Sequence, residues 1–183
     1  VLYGAAAGFA GGKVDEVMMR IVDVLYSLPF IFFVIMLVVF FGRNFVLMFL
    51  AVGAVLWLDM ARIVRGQALS IRRQEYVQAA EAMGVGQRGI LIRHVIPNLL
   101  GPVVIYMTLL VPQVIILESF LSFLGLGVQE PMTSWGVLIS VGAKNIGTAN
   151  WLLLFPAFFL VSTLFALNFV GDGLRDALDP RDR

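Results

Sequence analysis

Apolar residues in this chain run in long blocks, without the alternation of a half-buried strand or the regular interruptions of an amphipathic helix. The stretches 24–42, 95–117 and 145–171 contain no Asp, Glu, Lys, Arg or His. Each reaches the roughly 18 apolar residues that a membrane-crossing helix needs. The stretch 44–58 is shorter and becomes long enough with Asp59 at the interface. Residues 1–12, VLYGAAAGFAGG, carry no charge and have no basic region ahead of an apolar core, so they do not read as a signal peptide. They read as the tail of a further span, cut from a longer protein. Gly4, Gly8 and Gly12 recur there at a spacing that suits close helix packing in lipid, while Gly11 and Gly12 fit a turn equally well. The pattern predicts an all-α polytopic membrane protein with spans at about 1–10 (partial), 21–41, 44–61, 98–121 and 151–171. In lipid, only a bundle of spanning helices satisfies so much backbone. Pro29, Pro112 and Pro156 interrupt the predicted spans, where kinks or ordinary curvature are expected.

Composition supports this class. Hydrophobic residues make up 60% and charged residues 14%, against about 25% charged in a soluble domain, and mean hydropathy is +0.94. The net charge of +1 conceals a strong asymmetry. With those spans, Lys13, Arg20, Arg62, Arg65, Arg72, Arg73, Arg88, Arg93, Arg175, Arg181 and Arg183 share one side, and only Arg43 and Lys144 lie on the other. Basic residues concentrate in cytoplasmic segments. The segments 11–20, 62–97 and 172–183, and with them the C-terminus, are therefore expected in the cytoplasm, and 42–43 and 122–150 outside. The absence of cysteine excludes disulfides and thiolate chemistry.

The longest connection is 62–97. Tyr76, Ala80 and Met83 fall at i, i+4 and i+7, a narrow apolar stripe, with Arg72, Arg73, Glu75, Gln78 and Glu81 largely off it. The stretch GVGQRG (84–89) spells G-x-G-x-x-G. A dinucleotide fingerprint must follow a strand and find an acidic residue about 20 positions on. Here it follows the helix formers QEYVQAAEAM, and no Asp or Glu lies between Glu81 and Glu118. The glycines are read instead as a tight reversal between two cytoplasmic helices, with Pro97 in the first turn of the next membrane helix.

Gln78-Ala79-Ala80, then Gly84, then His94-Val95-Ile96-Pro97 resembles the EAA loop of ABC importer permeases, with glycine and proline at the family's spacing. Gln78 stands where the family usually has Glu, so no carboxylate role carries over to it. His-x-x-Pro-Asn at 94–98 is similar to the peptide and nickel branch. MRIVDVLYSLP (19–29), ARIVRGQ (61–67), ESFLSFLGLGVQEP (118–131), SWG (134–136) and GDGLRDALDP (171–180) agree in order. The resemblance covers the whole chain and looks closest to inner-membrane permease subunits of oligopeptide importers. It implies one transmembrane domain over 1–183, N-terminally truncated, containing a cytoplasmic coupling loop at 70–97. It also implies alternating access in a bacterial inner membrane, driven by ATP that separate subunits bind. The implied coupling residues are Gln78, Ala79, Ala80, Ala82, Gly84, Gly86, His94 and Pro97, with small side chains letting an ATPase approach closely. The implied partners are a homologous permease subunit, two ATP-binding subunits, an extracytoplasmic substrate-binding protein, peptide and the lipid bilayer, without nucleic acid. Dipeptide and nickel permeases share these motifs.

The remaining candidates are few. No G-x-x-x-x-G-K-[ST] occurs, so this chain is not expected to bind ATP, and no cofactor or metal is expected. His94 is the sole histidine and is read as a packing or capping residue. Arg20 with Asp23 and Asp59 with Arg62 are read as local ion pairs at helical spacing, at the inner ends of spans. Glu118, beyond Pro112 near an outer end, either faces a translocation path or binds a peptide amine, or it anchors the turn into SFLGLG. An ion-coupled transporter or channel would need buried polar residues near the midplane, which only Glu118 approaches. A membrane enzyme would need a cluster of His, Asp or Glu, which the sequence lacks.

Overall fold

The computed structural model describes residues 1–129 and 131–178. Glu130, Arg181, Arg183 and the 179–180 end of the GDGLRDALDP motif lie outside the described residues. Every regular element among the described residues is helical: α1 (Leu2–Ala10), α2 (Gly12–Tyr26), α3 (Phe30–Phe41), α4 (Phe45–Arg72), α5 (Glu75–Ala82), α6 (Gln87–Ile90), a π turn (Leu91–Val95), α7 (Ile96–Phe123), α8 (Trp135–Lys144) and α9 (Trp151–Leu178). Three helical stretches, Phe45–Arg72, Gln87–Phe123 and Trp151–Ala177, are long and apolar enough to cross a membrane, with a fourth crossing if α2 and α3 form one broken span. Much of their apolar surface stays uncovered, with Phe158 64%, Phe165 71% and Phe169 74% exposed on α9. Such surface suits a solvent of lipid tails, where apolar exposure carries no penalty.

Several boundaries differ from the hydropathy reading. The expected span 21–41 is two helices, because α2 stops at Tyr26 and α3 starts at Phe30. Pro29 causes the break: its ring disfavours helical geometry at Leu28, and Pro29 itself sits extended at the N-terminus of α3. Pro112 and Pro156, in contrast, lie inside continuous helices. The boundary expected near 61 is no helix end, since α4 continues to Arg72. Within the stretch 122–150 stands α8, whose Ser134 side chain accepts a hydrogen bond from the Val137 N–H and caps its first turn.

The chain forms two compact units. One comprises Val1–Leu28 and Val55–Tyr106. Its core is Val22, Leu58 and Ala61, fully buried or nearly so, with Tyr3, Met19 and Trp57 packed around them. Tyr3 meets Trp57 edge-on at 5.3 Å between ring centres, and its hydroxyl donates to the Met18 carbonyl at 2.8 Å. Here the glycine spacing resolves. Gly4 lies against the Ala61 carbonyl, and Gly8 against the Arg65 carbonyl and Ala68, so both mark a crossing of α1 on α4. Gly11 and Gly12 have positive φ and form the turn into α2. The other unit comprises Pro29–Ala54 and the chain from Met107. In it, Gly142 of α8 abuts the Leu152 backbone of α9, and Trp135 stacks on Phe159 at 6.1 Å.

Candidate functional site

The richest polar chemistry lies in the first unit, along the last turns of α4. Arg65 grips Asp15 of α2 with both arms of its fork, Nε to Oδ1 at 2.5 Å and Nη2 to Oδ2 at 2.6 Å. Asp15 is buried, with 6% exposure. Arg62 reaches Asp23 at 2.8 Å on an open surface and lies over the Tyr26 ring at 4.4 Å. Arg72 donates to the carbonyls of Phe9 at 2.7 Å and Ala10 at 3.2 Å, the closing end of α1. The local pairs read from helical spacing are thus replaced by pairs between helices. Asp23 joins Arg62 rather than Arg20, and Asp59 makes no ion pair among the described residues. Spacing along one helix cannot reveal a partner dozens of positions away. Asp15 escaped notice for that reason, and the only cue to it was an acidic residue on the apolar-patterned helix α2.

Two residues beyond α4 begins α5, whose buried face is Val77 with Ala80. The stripe read from Tyr76, Ala80 and Met83 is therefore off by one register, since Tyr76 is 45% and Met83 78% exposed. Met83 lies outside the helix because the chain leaves it there. Gly84 takes φ +82, its N–H bonds the Glu81 carbonyl at 3.0 Å, and the Val85 N–H bonds the Ala80 carbonyl at 3.1 Å. These are the paired bonds of a Schellman stop with glycine in the left-handed position. Gln87 ties the next helix back by donating to Glu81 at 2.8 Å. The turn of GVGQRG is thus a helix terminator followed by α6. From Gln87 the helix runs unbroken through the π turn into α7. The wider π turn directly precedes Pro97, whose ring and missing N–H disturb a regular ladder.

Of the residues singled out by the EAA resemblance, Gln78, Ala79, Ala82, Gly84, Gly86 and Pro97 are exposed. Ala80 is 2% exposed and packs within the chain. His94 is half-buried beside Tyr76, ring centres 6.4 Å apart, and its carbonyl accepts from the Asn98 amide at 2.6 Å. An outward surface of small residues is therefore built from Ala79, Ala82 and Gly84, flanked by Gln78 and Met83.

Glu118 belongs to the second unit. The Ser122 hydroxyl donates to Glu118 Oε1 at 2.6 Å and accepts the Val128 N–H at 3.0 Å. Ser119 lies 3.4 Å from the other carboxylate oxygen. Gly127 presses on Ser122, and Gly136 of α8 on the Ser119 carbonyl. The Gln129 amide donates to the Gly127 and Val128 carbonyls at 3.1 Å each. Glu118 is thus hydrogen-bonded into the turn after α7 through Ser122.

The described residues thus form a polytopic helical membrane protein with a helix–glycine stop–helix insert ahead of a spanning segment. All 183 residues match the family described as binding-protein-dependent transport system inner membrane component, and the chain belongs to that family. It is 64% identical over 173 residues to the oligopeptide transport system permease protein OppC of Escherichia coli (strain K12), covering 94% of this chain and 57% of that protein. It is 59% identical over 182 residues to the protein of the same name from Haemophilus influenzae, covering 100% of this chain and 58% of the relative. The dipeptide transport system permease protein DppC of Bacillus subtilis (strain 168) is 47% identical over 184 residues, covering 100% and 58%. The chain thus spans a little under three fifths of the length of these relatives.

Proposed function

We propose that this chain is part of the permease of an ATP-driven importer that carries oligopeptides into the cytoplasm. The observation that carries the reading is the identity, 64% and 59%, to two proteins named as oligopeptide permeases. In this reading the chain breaks no bond itself. Two ATP-binding subunits supply the work, a homologous permease subunit completes the pathway, and a substrate-binding protein delivers peptide from outside. Differential affinity of the ATPases for two conformations then drives alternating access. The exposed face of α5, with Gln78, Ala79 and Ala82, together with Gly84 and Gly86 of the turn that follows it, is the surface offered to an ATPase. His94, Ala80 and Pro97 support it from within or beside it. The C-terminus lies on the same, cytoplasmic side.

The test is uptake by the full-length protein reconstituted with its ATPase subunits and binding protein. ATP-dependent entry of labelled oligopeptide, above that of dipeptide and of Ni²⁺, is expected. Uptake driven by a proton gradient without the ATPases would overturn the reading in favour of an ion-coupled transporter. The cysteine-free sequence adds a second readout. A cysteine at Ala82 should cross-link to a groove cysteine of an ATPase subunit with a yield that changes on adding ATP.

A further inference from the structure

The first unit holds more than the exposed face of α5. Three arginines of α4 each hold the α1–α2 hairpin, and their partners run in the opposite direction along it. Arg62 holds Asp23, Arg65 holds Asp15, and Arg72 holds the carbonyls of Phe9 and Ala10. Between these ties the backbones touch, since Gly4 rests on Ala61 and Gly8 on Arg65 and Ala68. On its other side α1 contacts the π turn Leu91–Val95, where Val95 is fully buried. One short helix therefore braces both legs of the insert, the leg that enters α5 and the leg that leaves α6.

We propose that Asp15 and Arg65 are a positioning pair for energy coupling, joining α1–α2 to α4 so that force applied at α5 moves the inner ends of the helices as one body. This rests on the reading of the chain as an ATP-driven permease. Of the three ties, only Asp15–Arg65 joins two side chains with a buried partner; the Arg62–Asp23 pair is open to solvent, with side chains 40% and 57% exposed. A two-point grip by a planar guanidinium fixes orientation as well as distance, which a lysine ammonium cannot reproduce. Asp15 is the buried member, its side chain 9% exposed against 37% for Arg65, so losing the Arg65 fork leaves a carboxylate uncompensated away from water, and the hairpin would shift rather than merely loosen.

The experiment uses the full-length protein assembled with its ATPase subunits and binding protein in proteoliposomes, carrying Arg65→Lys, Asp15→Asn, or the exchange Asp15→Arg with Arg65→Asp. The readout is peptide imported per ATP hydrolysed, alongside the yield of assembled complex. The single variants should assemble with yields within a factor of two. Their import per ATP should fall about tenfold, the scale of a typical coupling free energy between sites, and the exchange should restore more than half of it. An unchanged ratio in both single variants would overturn the proposal. So would a loss confined to complex yield with the ratio intact, which marks a purely structural bridge. Should the wild-type complex import no peptide, the proposed function fails, and the pair is judged by the ATP-dependent change in the Ala82→Cys cross-link. Arg65→Lys should abolish that change, and its persistence would overturn the pair's role.

Discussion

Gly4→Ala tests the crossing of α1 on α4 with the smallest change available. A methyl carbon at Gly4 overlaps the Ala61 carbonyl oxygen, which is backbone and cannot rotate aside. Ordinary contacts between heavy atoms begin near ~3.5 Å, so α1 must back away from α4 by on the order of 1 Å. Overpacking of this kind costs about 1–3 kcal/mol. For a domain of roughly 150–250 residues the thermal midpoint falls by about 2–4 °C per kcal/mol, so a drop of about 2–12 °C is expected. Gly66→Ala is the control: it sits in α4, the helix against which Gly4 packs, with nothing within 4 Å of an added methyl. It should be neutral or gain up to about 0.5–1 kcal/mol from helix propensity. Melting of the detergent-purified protein would be followed by Trp57 emission with every other tryptophan replaced by Phe, because Trp57 lies edge-on to Tyr3. A Gly4→Ala protein that melts with the wild type and leaves Trp57 emission unmoved would refute the close crossing.

Two further outcomes follow from the turns. Gly84→Ala should destabilise the end of α5 by about 1–2 kcal/mol, since a left-handed residue with open space around it suffers only the backbone penalty; Gly84→Asn should lose less, and equal melting of all three would argue against the left-handed stop. Ser122→Ala removes the acceptor of the buried Val128 N–H and should cost about 1–3 kcal/mol. Glu118→Gln keeps an oxygen for the Ser122 hydroxyl and should melt near the wild type, so a large loss there would show that the charge itself matters. Peptide uptake by Glu118→Gln separates the roles, because an anchor predicts unchanged kinetics and a path residue does not.

Charge-free runs announced the spanning helices, and the glycines at 4 and 8 announced a close crossing, because lipid solvation and small-residue packing act through composition and spacing. The broken span at Pro29 was visible as a proline but not as a break, since Pro112 and Pro156 sit within continuous helices. The register of α5 went wrong because Met83 lies beyond a stop that only the φ of Gly84 reveals. The α4 pairs were misassigned because a charge 50 positions away in sequence leaves no local trace. The segment 78–97 was legible only as a resemblance, whereas the burial of Ala80 had to come from coordinates.

Arg72 holds main-chain oxygens, and Arg65 holds a side chain. A guanidinium hydrogen-bonded to carbonyls is indifferent to which residues at 9 and 10 present them, so Ala10 can drift with those bonds intact, while the buried Phe9 ring adds a contact of its own, 5.7 Å from the Arg72 guanidinium. Positions 15 and 65 can change only in concert. Covariation across relatives would therefore register the Asp15–Arg65 tie and stay silent on its neighbour, although both fasten the same hairpin. Pairwise sequence statistics would under-count how firmly this corner of the protein is bound.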